Sequence, residues 1–103
     1  MPAARRSPPD IERMRARRDV EGLLKAAKQK DTPIDIRIKA IDALGEIGDG
    51  RAVEPLIELL KSDDCLYVRK KAAFTLYRFL KTEGLSEVLR QKIMSHWRSW
   101  YLT

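Results

Sequence analysis

The chain predicts an all-α fold: a short right-handed α-solenoid of antiparallel helix pairs, about six helices in two full repeats with flanking half repeats. Two observations carry this. Arg37, Lys39, Ala40 and Leu44 recur as Arg69, Lys71, Ala72 and Leu76, each 32 positions on. A fixed offset of this size, filled by paired amphipathic helices, marks units that bury their apolar faces only by stacking on one another. In addition, every segment between turn signals follows the helical period, and none shows the alternation of a half-buried strand.

Taken in order, Ser7-Pro8-Pro9-Asp10 has the form of a capping box: a hydroxyl, proline at the first helical position and an acid three residues on. It predicts a short helix to about Arg18. Asp19 caps a second helix from Val20 to about Lys30, on which Val20, Leu23, Leu24 and Ala27 share a face. Thr32-Pro33-Ile34-Asp35 repeats the capping signature and opens a third helix, to Ile47, stopped by Gly48; Gly48-Asp49-Gly50 supplies both the left-handed stop and the next cap. Ala52 to Lys61 forms the fourth helix. Its Pro55 sits where a missing amide donor costs least, and Gly22 is the counterpart 33 positions earlier. Ser62-Asp63-Asp64 begins a fifth helix reaching about Lys81, and Gly84 separates it from a last one, Leu85 to Tyr101. In that helix Leu85, Val88, Leu89, Ile93, Trp97 and Tyr101 fall on one face, as a lid over the final repeat. The expected organisation is one domain, 1–103: a basic segment and capping helix (1–18), a first repeat (19–48), a second (49–82) and a C-terminal capping helix (83–103).

Composition bounds the function. Hydrophobic content of 44% beside 35% charged residues fits a folded domain, and no apolar run approaches a membrane span. Residues 1–10 carry Arg5 and Arg6 with no apolar stretch behind them, unlike a secretory signal, so a cytoplasmic location is expected. Cys65 is alone, which excludes an internal disulfide and a thiolate zinc site. The net charge of +6 is laid out as +5, −4 and +5 over residues 1–30, 31–60 and 61–103. The acidic centre interrupts the continuous basic stripe that tracks a phosphate backbone.

Three motifs appear in order: Ile36-Arg37-Ile38-Lys39-Ala40, then Ala43-Leu44-Gly45-Glu46-Ile47-Gly48-Asp49, then Ala52-Val53-Glu54-Pro55-Leu56, with Val68-Arg69-Lys70-Lys71-Ala72 repeating the first. Over roughly residues 19–80 the chain thereby resembles short HEAT-like repeats of the phycobilisome-lyase type. The second repeat departs from the pattern, with Leu76-Tyr77-Arg78-Phe79-Leu80 in place of Leu-Gly-x-Ile-Gly. The resemblance implies a binding or scaffolding role, does not extend to lyase activity, and implies a structural role for Arg37 and Arg69. Both arginines fall inside the apolar arc and need acceptors; Asp31 and Asp63 or Asp64, in the preceding turns, are the expected partners.

At 100° per residue, Ala40, Ala43, Leu44 and Ile47 cluster with Ile36, while Ile34, Ile38 and Ile41 form a second apolar arc. The remaining arc holds Asp35, Lys39, Asp42 and Glu46, expected on an inner, concave surface. In the next repeat it holds Tyr67, Lys71, Phe74 and Arg78. Aromatic and cationic side chains are enriched at interface hot spots. The candidate partner-binding set is therefore Lys39, Asp42, Glu46, Tyr67, Lys71, Phe74 and Arg78. Two readings stand for Tyr67 and Phe74: exposed contact residues, or residues covered by the terminal helix and its Trp97 or Trp100.

Catalysis needs a nucleophile with a base, paired carboxylates or a metal cluster, and the chain offers one Cys, one His and no Gly-rich phosphate loop. His96 reads as a plain surface residue. Asp35, Asp42 and Glu46 share a face, but such clusters are usually just solvated. The expected function is a non-catalytic interaction module with no cofactor, no metal, no membrane and no small-molecule substrate, whose partner is another protein. The alternative is an accessory nucleic-acid-binding protein using the basic ends: Arg5, Arg6, Arg13, Arg15, Arg17 and Arg18 at one, Arg69, Lys70, Lys71, Arg78 and Lys81 at the other, with Phe74 or Trp100 stacking on bases.

Overall fold

The structure, a computed structural model, describes residues 10–102, with backbone alone for 97–102. Among the described residues there are six α-helices and no strand: α1 (Ile11–Ala16), α2 (Val20–Lys28), α3 (Ile34–Ile47), α4 (Val53–Ser62) led in by a 3₁₀ turn (Gly50–Ala52), α5 (Leu66–Leu80) and α6 (Glu87–Leu102). None is long and apolar enough to cross a membrane.

The helix ends show which sequence signals operate. Asp10 is the N-cap of α1, its carboxylate accepting from the Arg13 amide at 3.1 Å, so the start predicted at Ser7-Pro8 is displaced. Ser7, Pro8 and Pro9 of the predicted capping box lie outside the described residues. The helix ends at Ala16 rather than Arg18, which is left-handed at φ 56°, a conformation that usually selects glycine. Asp19 caps α2 as expected, accepting from Gly22 N at 2.9 Å. Pro55 holds the same third position in α4, where there is no such amide to satisfy.

Two predicted caps do other work. Thr32 does not cap α3: Pro33 stays extended (ψ 143°), and the Thr32 hydroxyl donates to Gln29 Oε1 at 3.4 Å. Asp63 does not cap α5, because its carboxylate is held by the buried Arg37, a charge-assisted bond stronger than an exposed cap; α5 begins at Leu66 with no side-chain cap. Gly48 ends α3 in the left-handed region at φ 72°, its amide returning to Leu44 O, and Asp49 then accepts from Arg51 N. Ser86 Oγ accepts from Leu89 N at 3.2 Å and starts α6 two residues later than predicted.

The helices pair as antiparallel neighbours, α2 on α3 and α4 on α5, while α1, α3 and α5 lie side by side; α6 packs on both α4 and α5. One apolar cluster runs through all of them, from Leu23 and Ala27 through Ile41, Leu44, Leu56 and Leu60 to Val68, Leu76, Phe79 and Ile93. Each fully buried leucine or isoleucine in it stabilises the fold by roughly 1.5–3 kcal/mol. Within the predicted arcs, Ile34 is an exception at 46% exposed, since it sits in the first turn of α3. Val88, predicted on the packed face of α6, is 66% exposed; Ile93 is buried and Leu85 and Leu89 partly so. The predicted contributions of Trp97 and Tyr101 lie outside the described side chains. Arg90 anchors α6 to the end of α5, donating to Leu80 O and, at 3.1 Å, to Thr82 O, where the helix terminus is electronegative. Lys92 pairs with Glu54 of α4.

Candidate functional site

Arg37 shows how the repeats are tied. It is 3% exposed, donates Nε–H to Ala27 O at 2.9 Å, and pairs through its two terminal nitrogens with Asp63. Asp63 also accepts from the Cys65 amide at 2.9 Å, and its backbone oxygen accepts from Arg69 at 2.6 Å. Burial pushes the Asp63 carboxyl upward, but hydrogen bonds from Arg37 and Cys65 and nearby positive charge outweigh it and hold the group below the usual carboxylate range. The expected partners are corrected in two ways. The carboxylate for Arg37 comes from the following turn rather than the preceding one, and Asp64 pairs instead with Lys30 at 3.1 Å. The structural role for Arg37 is what its burial supports.

The face made by α1, α3 and α5 carries the candidate set. Asp42 is its electrostatic centre: Lys71 Nζ lies 3.1 Å and Arg78 3.0 Å from the same carboxylate oxygen. Partial burial opposes ionisation of Asp42, yet the bonds and charges of Lys71 and Arg78 prevail and lower its pKa. A carboxyl held down in this way is a poor proton donor at neutral pH. Arg15 of α1, which the sequence reading placed in a basic end segment, reaches across to Glu46 at 3.2 Å while also pairing with Glu12.

These residues border an open groove of about 200 Å³ between α1, α3 and α5, lined by Ile11, Glu12, Arg15, Ile38, Lys39, Asp42, Ala43, Glu46 and Lys71. It is smaller than a pocket that encloses a drug-sized ligand. Of the seven candidate residues, Lys39, Asp42, Glu46 and Lys71 meet there; Tyr67, Phe74 and Arg78 do not line it. Lys71 joins the two groups, with its ammonium 5.6 Å from the Phe74 ring centroid.

Of the two readings for the aromatics, exposure is the one observed: Tyr67 is 67% and Phe74 58% exposed. Lys71 and Arg78, predicted to be exposed beside them, are half-buried and engaged with Asp42. The open stripe of α5 is instead Tyr67, Lys70, Phe74, Tyr77 and Lys81, with the Lys81 ammonium 4.8 Å from the Tyr77 ring centroid. Sequence reasoning left Tyr77 out and placed Lys70 and Lys81 only in the nucleic-acid alternative, because it assigned α5 the same solvent arc as α3. Their spacing of three and four residues was the available signal.

His96, read as a plain surface residue, is half-buried and sits 2.9 Å from Lys92 O through Nδ1. Among the described residues no group of three His, Cys, Asp or Glu side chains is placed to hold a metal ion. No curated protein matches the chain. The family model for HEAT repeats matches residues 20–96, which takes in the helices from α2 to α5 and the packed part of α6. With its paired helices, tied turn to turn by Arg37 and stacked on one continuous core, the chain belongs to the HEAT-repeat family.

Proposed function

We propose that this protein is a non-catalytic interaction module that binds a partner protein on the face formed by α1, α3 and α5. HEAT repeats commonly mediate protein–protein contacts. The observation that carries the reading is the exposure of Tyr67 and Phe74, two large aromatics on a helix that buries Val68, Ala72, Ala73, Leu76 and Phe79 on its other side. Aromatic anchors beside cations are the side chains that dominate binding energy at interfaces. Lys39, Glu46, Tyr67 and Phe74 are the contact residues of this face, while Asp42, Lys71 and Arg78 brace α3 against α5 and keep the face in shape.

The nucleic-acid alternative has less support, because many of its cations already have acceptors. Arg15 is bonded to Glu12 and Glu46, Arg18 to Ile47 O, Arg69 to Asp63 O, and Lys71 and Arg78 to Asp42. Affinity capture from native cell extract with the wild type and with Tyr67→Ala/Phe74→Ala tests the proposal. A partner retained by the wild type and lost by the variant, with helical circular dichroism unchanged, is the expected result. Equal capture by both overturns it.

A further inference from the structure

We infer that the open side of α5 is a docking site for an acidic amphipathic helix of another protein, seated where a further repeat helix would otherwise stack. This rests on the reading that the α5 face binds a protein, and adds which surface and what chemistry.

The repeat register locates the surface. Helix α3 packs on α5 through Asp42, which pairs with Lys71 and Arg78, and through Gly45, where an added Cβ would stand 2.8 Å from Thr75 Cγ2. The residues 32 positions on are Phe74 and Tyr77. They are thus the positions through which α5 would contact a following helix. Among the described residues α5 is the last helix of its layer, and Phe74 is 58% and Tyr77 41% exposed.

The substitutions at these positions say what can sit there. Glycine at 45 allows close helix approach, whereas the tyrosine at 77 holds a neighbour further out, so another repeat cannot dock on α5 as α5 docks on α3. The stripe is also cationic: Lys70 and Lys81 flank Phe74 and Tyr77, no carboxylate lies on it, and Lys70 has no ion-pair partner among the described residues. Lys70 and Lys81 are 11 residues apart, about 16 Å along the axis. The matching occupant is a helix of about four turns with carboxylates three turns apart and apolar side chains between them.

A second copy fits poorly, because its exposed leading helix would bring Arg13 and Arg17 against Lys70 and Lys81. A nucleic-acid strand would run beside Asp35 and Glu46 of α3, whose charges repel phosphate.

The test uses the full chain and fluorescein-labelled helical peptides of about 16 residues. One carries leucines on a single face flanked by glutamates 11 positions apart, and the other replaces the glutamates by lysines. Anisotropy should show the acidic peptide bound at least about tenfold more tightly than the basic one. Lys70→Glu/Lys81→Glu should reverse that order, and Tyr67→Ala/Phe74→Ala should remove binding of both. Equal binding of the two peptides to the wild type, lost in the aromatic variant, overturns the acidic occupant and leaves the protein-binding face standing. Binding of neither, while the aromatic variant still loses its captured partner, overturns the helix occupant alone. Preferential binding of a labelled single-stranded oligonucleotide, lost in Lys70→Glu/Lys81→Glu, overturns both readings. Phe74-dependent dimerisation in sedimentation equilibrium assigns the face to a second copy and overturns the proposal.

Discussion

Helices α3 and α5 hold equivalent places in consecutive repeats, but α3 lies between α1 and α5 whereas, among the described residues, α5 has a neighbour of that layer on one side only. The same 32-residue register therefore leads to different fates. Asp42 and Gly45 are covered by α5, one bonded to two cations and the other giving room to Thr75. Their counterparts Phe74 and Tyr77 look outward. The arginines diverge likewise: Arg37 is enclosed with a carboxylate, while Arg69 is half-buried on a backbone oxygen, and the position matching Asp63 is Ser95. The lesson is that a helix between two layer neighbours is specified on both flanks, whereas α5, the last of its layer among the described residues, leaves Tyr67 and Phe74 exposed.

Five measurements break or sharpen this comparison. Arg37→Ala, which leaves the Asp63 carboxylate buried and unpaired, should cost about 3–5 kcal/mol in urea unfolding, against about 1 kcal/mol for Arg69→Ala. Equal costs would mean that the two repeats are tied alike. Because the Asp63 carboxyl is depressed in the folded state, its stabilisation is complete above the ordinary carboxylate value, near pH 4, and is lost as pH falls through the lower folded value. The stability gap between wild type and Asp63→Asn should accordingly close in acid below about pH 4. A gap independent of pH would show that the Arg37 pairing is not its source.

Smaller effects follow on the α3–α5 contact. Gly45→Leu should destabilise by about 1–3 kcal/mol, since the new side chain meets Thr75, which is fully buried. Thermal melts that show no loss would mean α5 can move away. Asp42→Asn, at a half-exposed ion triad, should cost at most about 1 kcal/mol, and less as salt rises. Phe74→Ala is expected to leave stability within about 0.5 kcal/mol, because the ring is mostly in water. A larger loss in the unfolding midpoint would show that Phe74 belongs to the core and not to an interface.

Much of the fold was legible because helix periodicity and glycine stops are local signals. Val20, Leu44 and Leu76 are buried where the 3.6-residue period places them, and Gly48 ends α3 as its sequence context predicts. The caps at Thr32 and Asp63 were misread for a shared reason: a polar side chain has several possible partners, and only packing decides which is near. Of the candidate site, the exposure of Tyr67 and Phe74 agreed with one of the two readings, but Lys71 and Arg78 did not remain free. Their retraction toward Asp42 depends on a contact between residues 29 and 36 positions apart. Nothing in either helix alone encodes that distance.

By itself, the amino-acid sequence determined the helices, the repeat register and most of the buried positions, Ile34 and Val88 excepted, since these follow from periodicity and backbone chemistry within each segment. The tertiary structure decided which polar groups are consumed inside the fold and which arc of α5 stays open. Both depend on what stands next to each helix, and a helix carries no information on its neighbour until the two are packed.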